Sequence, residues 1–140
     1  SGYITLDKYK NLDCLIINEA ELRQNFRDRD TKLEVLLKKI SQSHNIKKVT
    51  VTRGAQGVIM YSANKKKTYY CPAFATNVVD KIGSGDAFLS LLSLSEGTNN
   101  NHFISLLLGS LAAAQSVETI GNSYSVNRLK ILNSIKHILI

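Results

Sequence analysis

Residues 80–88 read Asp-Lys-Ile-Gly-Ser-Gly-Asp-Ala-Phe, and they carry the most readily named chemistry in the chain. Gly83 and Gly85 flank Ser84, Asp86 follows at once, and an apolar helical pattern opens behind it. Such a segment gathers backbone N–H groups in a concave turn at a helix start, where exposed donors and the macrodipole favour an anion. A carboxylate beside an anion site repels the anion, so Asp86 needs a reason to be there. Taking a proton from a nucleophile that attacks the anion supplies one. On this reading the turn is a phosphoryl-transfer site, with Asp86 as base and the N–H groups of Gly83, Ser84, Gly85 and Asp86 as anion hole. The same residues also suit a plain turn whose acid caps a helix. From this segment alone both readings stand.

The surrounding elements must hold that turn in place. Cys14–Ile17 is a short apolar run ending at Asn18, as in a buried parallel strand. Open α/β sheets bind ligands at the carboxyl ends of such strands, which suits Asn18 and Glu21 for a site. The pair equally fits the N-cap and N3 positions of a capping box. Leu33, Leu36, Leu37 and Ile40 predict an amphipathic helix, with Lys38 and Lys39 near its end. Val49–Thr52 reads as the next strand, ended by Gly54. Thr52, Gly54 and Gly57 can let backbone approach a phosphate or ribose closely, although glycines at strand exits are common in any fold. The runs 57–61 and 68–70 bracket a turn containing Lys65, Lys66 and Lys67, a hairpin pattern.

Three helices should follow. The first covers 87–94, turns Phe88, Leu91 and Leu92 inward, and is broken by Gly97-Thr98 and Asn99–Asn101. The second, over 103–117, is apolar on most faces and therefore central. Its Ala112–Ala114 permit close approach of a neighbouring helix or of a flat adenine. The last, over 126–138, sets Leu129, Leu132, Ile135 and Ile138 on one side. The order strand–helix–strand–hairpin–helices predicts an α/β layer with mixed strands. No Gly-x-Gly-x-x-Gly fingerprint and no Walker A sequence occurs, so the commonest ATPase class is excluded.

Composition sets further bounds. The 140 residues make one domain with an ordinary 44% hydrophobic content. Cys14 and Cys71 fall in strands and read as buried thiols, not as a disulfide framework. No apolar run approaches a membrane span and no targeting peptide is visible, so a cytoplasmic protein is expected. The net charge of +7 raises the question of nucleic acid, but the basic residues are scattered, and no nucleic-acid partner is expected. The excess also suits ATP and a phosphorylated sugar. His44, His102 and His137 lack metal-ligand spacing and read as surface or capping residues. Ser84 lacks the spacing of a hydrolase nucleophile elbow. Asp28 and Asp30 read as solvated loop charges.

Asp80, Gly83, Gly85, Asp86 and Phe88 match the signature of the PfkB (ribokinase-like) carbohydrate kinases, close to Asp-Thr-x-Gly-Ala-Gly-Asp-x-Phe, with Ser84 in place of the alanine and Lys81 in place of the threonine. Asn18-Glu19-Ala20-Glu21 resembles the family's Asn-x-x-Glu motif, and Thr52 to Gly57 resembles its Thr-x-Gly-x-x-Gly nucleotide loop. Ala112–Ala114 followed by Gly121-Asn122 resembles the alanine-rich helix and loop beside the adenine. These motifs occur in the family's order over nearly the whole chain.

The resemblance implies a ribokinase-like three-layer α/β/α sandwich, represented over 1–140 by its C-terminal, nucleotide-binding portion, without the N-terminal sugar-binding half and lid. It implies ATP-dependent phosphoryl transfer to a hydroxyl of a sugar or sugar phosphate, with ATP and Mg²⁺ as cofactors. Asn18 and Glu21 would act on Mg²⁺ through water. Thr52, Gly54 and Gly57 would line the triphosphate and ribose, and Ser110, Ala113 and Gly121 the adenine. Asp80 resembles the ligand of a monovalent cation such as K⁺, with the Ile82 and Gly121 carbonyls as partners, but the Lys81 ammonium can supply that charge instead. The basic residue at 81 resembles heptose-phosphate kinases, some fused to cytidylyltransferases. This stretch alone should be inactive, and the full-length protein could form a homodimer. The apolar Ile138-Leu139-Ile140 end fits either core packing or a continuing chain. The alternative is a non-catalytic nucleotide-binding or regulatory module of the same fold.

Overall fold

The computed structural model describes residues 6–75, 77–98, 101–118 and 125–139, arranged as two compact units. The first comprises Ser1–Arg53 and Val58–Tyr70; the second comprises Gly54–Gly57 and Cys71–Ile140.

The first unit is built on a sheet of order β1-β2-β3-β4, with β1 Cys14–Asn18, β2 Lys48–Thr52, β3 Val58–Ser62 and β4 Lys67–Cys71. β1 and β2 run parallel, and β2 and β3 antiparallel, which is the mixed sheet expected from the sequence. The crossover between β1 and β2 carries α1 Glu19–Phe26 and α2 Leu33–His44. Alternation along the strands sets Ile17, Val49, Val51, Ile59 and Tyr61 into one core with Leu22 of α1 and Leu33, Leu36, Leu37 and Ile40 of α2. The four α2 positions are those the 3.6-residue period singles out. Asn45 ends α2 in the left-handed conformation, and its amide donates to Asn11 Oδ1 at 2.7 Å. Lys47 precedes β2 and Lys48 opens it, at the end where Lys65 and Lys66 lead into Lys67, the first residue of β4, and Lys48 stands opposite Ser62. Five lysines thus collect at the end of the sheet remote from Thr52.

The second unit contains α3 Ser84–Thr98, α4 His102–Val117 and α5 Arg128–Leu139. α3 and α4 pack closely because Gly109 accepts the Phe88 ring: a Cβ on Gly109 would stand 3.0 Å from two ring carbons. Leu92, Leu106 and Ala112 are fully buried in this unit. α4 buries residues around most of its circumference, as its all-round apolar sequence predicts.

Several expectations need correction. α3 begins at Ser84, not Ala87, so Ser84, Gly85 and Asp86 form its first turn. It also runs through Gly97 to Thr98, whose hydroxyl closes the last turn on the Leu94 and Ser95 carbonyls. On α5, the side that carries Leu129, Leu132 and Ile138 is exposed, and Ile131 is the buried anchor. Its apolar residues fall on two helical stripes, and the packed one runs through Ile131. His44 and His102 are interior groups, not surface ones. Ser43 Oγ lies 2.7 Å from His44 Nδ1, and His102 Nδ1 lies 2.9 Å from Glu96 Oε1. Asp28, a solvated loop charge as expected, also organises its loop: it accepts from the N–H groups of Asp30 and Thr31 and from the Thr31 hydroxyl. Those bonds hold its carboxyl below the usual range.

Candidate active site

The glycine-rich turn is built by its own backbone. Gly83 takes φ +81°, a left-handed conformation open to glycine at little cost, and this bend starts α3. The approach to it is pinned from α4, whose last carbonyl, Val117 O, accepts from Val79 N at 2.7 Å and Asp80 N at 3.1 Å. Asp80 Oδ1 then accepts from Ile82 N at 3.0 Å, tightening the turn. Ser84 faces back: its hydroxyl donates to Lys81 O at 2.9 Å and its N–H reaches the same oxygen at 3.4 Å. The N–H groups of Gly83, Gly85 and Asp86 have no acceptor among the described residues. Nothing lies within 4 Å of where a Cβ on Gly85 would stand. Asp86 is exposed, and its carboxylate has no partner among the described residues. The arrangement can therefore take an anion against open backbone donors with an accessible base beside it.

In the first unit the parallel register places Asn18 directly beside Thr52 at the carboxyl ends of β1 and β2. Two motifs distant in sequence meet there, at the edge where α/β sheets receive ligands. Asn18 is also the N-cap of α1. Its Oδ1 accepts from Glu21 N at 2.8 Å, and Glu21 Oε2 accepts from Asn18 N at 3.3 Å, a complete capping box. The box commits one oxygen of each side chain and leaves Glu21 Oε1 without a partner among the described residues. A hard carboxylate oxygen in this setting fits Mg²⁺ that keeps most of its waters. Among the described residues no cluster of three or more His, Cys, Asp or Glu gathers as a metal site.

The nucleotide-loop glycines divide. Gly57 has φ +78°, and a Cβ there would run into the Cys71 carbonyl oxygen and the Pro72 backbone, so its role is close chain packing. Gly54 has φ +57°, and no described residue stands within 4 Å of where a Cβ would be, which leaves room for a ligand. Among the adenine candidates, Ser110 is buried and its hydroxyl has no hydrogen-bond partner among the described residues; burial pushes the Cys71 thiol up, and Ser110 partly lowers it. Ala113 is half-buried on α4. Gly121 lies outside the described residues. A cleft of ≈ 470 Å³ opens between α4 and α5, with Phe74, Leu111 and Ala114 on its apolar side and Gln115, Lys130 and His137 on its polar side.

An ion cluster was not foreseen. Glu19 receives Arg23 Nε at 2.8 Å and Arg53 Nε at 3.1 Å. Burial raises the Glu19 carboxyl, but the two arginines together outweigh it and hold the group below its ordinary value. The residues of the longer pair are 34 apart, and only the β1–β2 register brings them together.

Residues 6–128 match the pfkB family carbohydrate kinases. The bifunctional protein HldE of Desulfatibacillum aliphaticivorans is 27% identical over 83% of this chain, which spans only 24% of that relative's length. Phosphofructokinase-2 from Escherichia coli, solved with potassium, superposes with a TM-score of 0.80 at 16% identity, covering 94% of this chain and 42% of its own. An Arabidopsis thaliana ribokinase complexed with ribose and ATP gives 0.74 at 24% identity, covering 89% and 41%. Those likenesses establish a ribokinase-like α/β fold. With its sheet, its glycine turn and most of its helices inside the matched stretch, the chain belongs to the pfkB family of carbohydrate kinases.

Proposed function

We propose that this chain is the nucleotide-binding portion of a kinase that moves the γ-phosphoryl group of ATP onto a hydroxyl of a sugar or sugar phosphate. The observation that carries the reading is the start of α3, where left-handed Gly83 precedes N–H groups at Gly85 and Asp86 that have no acceptor among the described residues, with the exposed Asp86 carboxylate beside them. Asp86 takes the proton of the attacking hydroxyl. The open N–H groups stabilise charge gathering on the transferring phosphoryl group, a contribution of roughly a few kcal/mol per well-aimed donor. Mg²⁺ neutralises phosphate charge when bound, and Asn18 and Glu21 order its water. Thr52 and Gly54 lie along the phosphates and ribose, and the α4 surface at Ala113 with the adjoining cleft receives the adenine. Asp80 is the candidate for a monovalent cation, the role Lys81 can also fill.

The likeness to HldE proteins, together with Lys81, favours a heptose phosphate as acceptor. Residues that select the sugar belong to a further portion of the protein, consistent with the small share of the relatives that this stretch covers. By itself the stretch binds nucleotide without turnover, which is how the non-catalytic alternative would also behave. Asp86→Asn in the full-length protein separates the two. Transfer should fall by about 10²–10⁴-fold, the usual contribution of a positioned base, while ATP affinity holds. Undiminished turnover would remove Asp86 from the chemistry.

A further inference from the structure

The β1–β2 register carries a consequence beyond the placement of Asn18 and Thr52. One residue past each of these register partners stand Glu19 and Arg53, and they are joined at 3.1 Å. Glu19 is itself fixed by Arg23 at 2.8 Å. Arg23 Nη1 also donates to the carbonyls of Arg29 and Thr31 at 3.2 and 3.0 Å. Glu19 and both arginines are only about a quarter exposed, so the contact is less screened than a surface pair. The Asn18–Glu21 box thus hangs from a rigid post, and Arg53 ties the exit of β2 to it.

We propose that the Glu19–Arg53 ion pair is a positioning clasp, which holds the Asn18–Glu21 box and the Thr52 end of the nucleotide loop in the alignment that a metal–nucleotide complex requires. This inference rests on the nucleotide-binding reading above. Neither residue touches the nucleotide; each acts through its neighbour in the chain. Because the box serves the metal and Thr52 serves the phosphate, losing the clasp should weaken Mg-ATP more than ATP without metal.

The test is titration calorimetry of Glu19→Gln, Arg53→Gln, the double variant and Arg53→Lys in the full chain, with Mg-ATP and with ATP in EDTA. Far-UV circular dichroism checks each variant's fold. Each neutral single variant should lose about tenfold in Mg-ATP affinity, equivalent to ~1.4 kcal/mol, and little in metal-free affinity. The double variant should be no worse than the weaker single, because both remove the same contact. Arg53→Lys keeps the charge without the planar fork, so it should fall between wild type and Arg53→Gln. It also keeps the test open should a neutral variant fail to fold. Wild-type Mg-ATP affinity in the variants, additive losses, or equal losses with and without metal would each overturn the clasp. Loss in both metal states for Arg53→Gln alone would make Arg53 a direct phosphate ligand instead. A wild-type chain that binds neither form would overturn the nucleotide-binding reading itself.

Discussion

Two glycines in the candidate site show how one residue type serves different ends. Gly57 is held by sterics, since any side chain meets the Cys71 carbonyl and Pro72. Gly85 meets nothing and does not take a positive φ, so the protein itself does not require it. Gly57→Ala should cost about 3 kcal/mol in urea unfolding, from left-handed strain plus overpacking. Gly85→Ala should leave stability unchanged or raise it by up to ~1 kcal/mol, since alanine is the better helix former. Its damage should appear in phosphoryl transfer, where a methyl group would stand against the arriving phosphate. Gly85→Ala that keeps full activity would place the phosphate elsewhere. Glu19 makes a second prediction at this scale. Its native carboxyl titrates below the ordinary 4.5 because Arg23 and Arg53 outweigh burial. The unfolded chain then binds more protons in acid, so the stabilisation is present above the ordinary value and lost as pH falls through the depressed one. Thermal melts from pH 7 to 3 should show a smaller acid loss in Glu19→Gln than in wild type.

The elements were legible where a single local rule governs them. The β1–α1 junction could be read because Asn18 and Glu21 satisfy a capping box whatever else they do. α2 could be read because one apolar stripe has one core to face. The start of α3 was misplaced because Ser84, Gly85 and Asp86 offer no apolar residue to announce a helix, and their part in it is to present N–H groups. The packed side of α5 was not legible, because two apolar stripes share one helix and periodicity cannot choose between them. Its packing is testable. Ile131→Ala should lose about 2–4 kcal/mol in chemical denaturation, as buried aliphatic truncations do. Leu129→Ser, at a position 70% exposed, should stay within about 0.5 kcal/mol. Equal effects would mean that the other stripe is covered in solution. The Glu19–Arg53 contact lay beyond reach for another reason: its residues are 34 apart, and only the strand register makes them neighbours.

Over the whole molecule, the net charge of +7 is not spread evenly. Composition alone could not say where it lies; the sheet topology can. Lys47, Lys48, Lys65, Lys66 and Lys67 gather at the sheet end remote from Thr52, and Asp13 pairs with Lys47 there at 2.6 Å. Binding there would rest on charge, so polyanions should bind it loosely and fall away steeply as salt rises. Replacing Lys65, Lys66 and Lys67 together by Glu should abolish that binding and leave nucleotide affinity unchanged, as a filter assay and a titration would show. At the bench, a heparin or phosphocellulose column will hold this protein by its lysine end. Salt will release it and ATP will not, so retention on such a resin carries no information about whether the nucleotide site is intact.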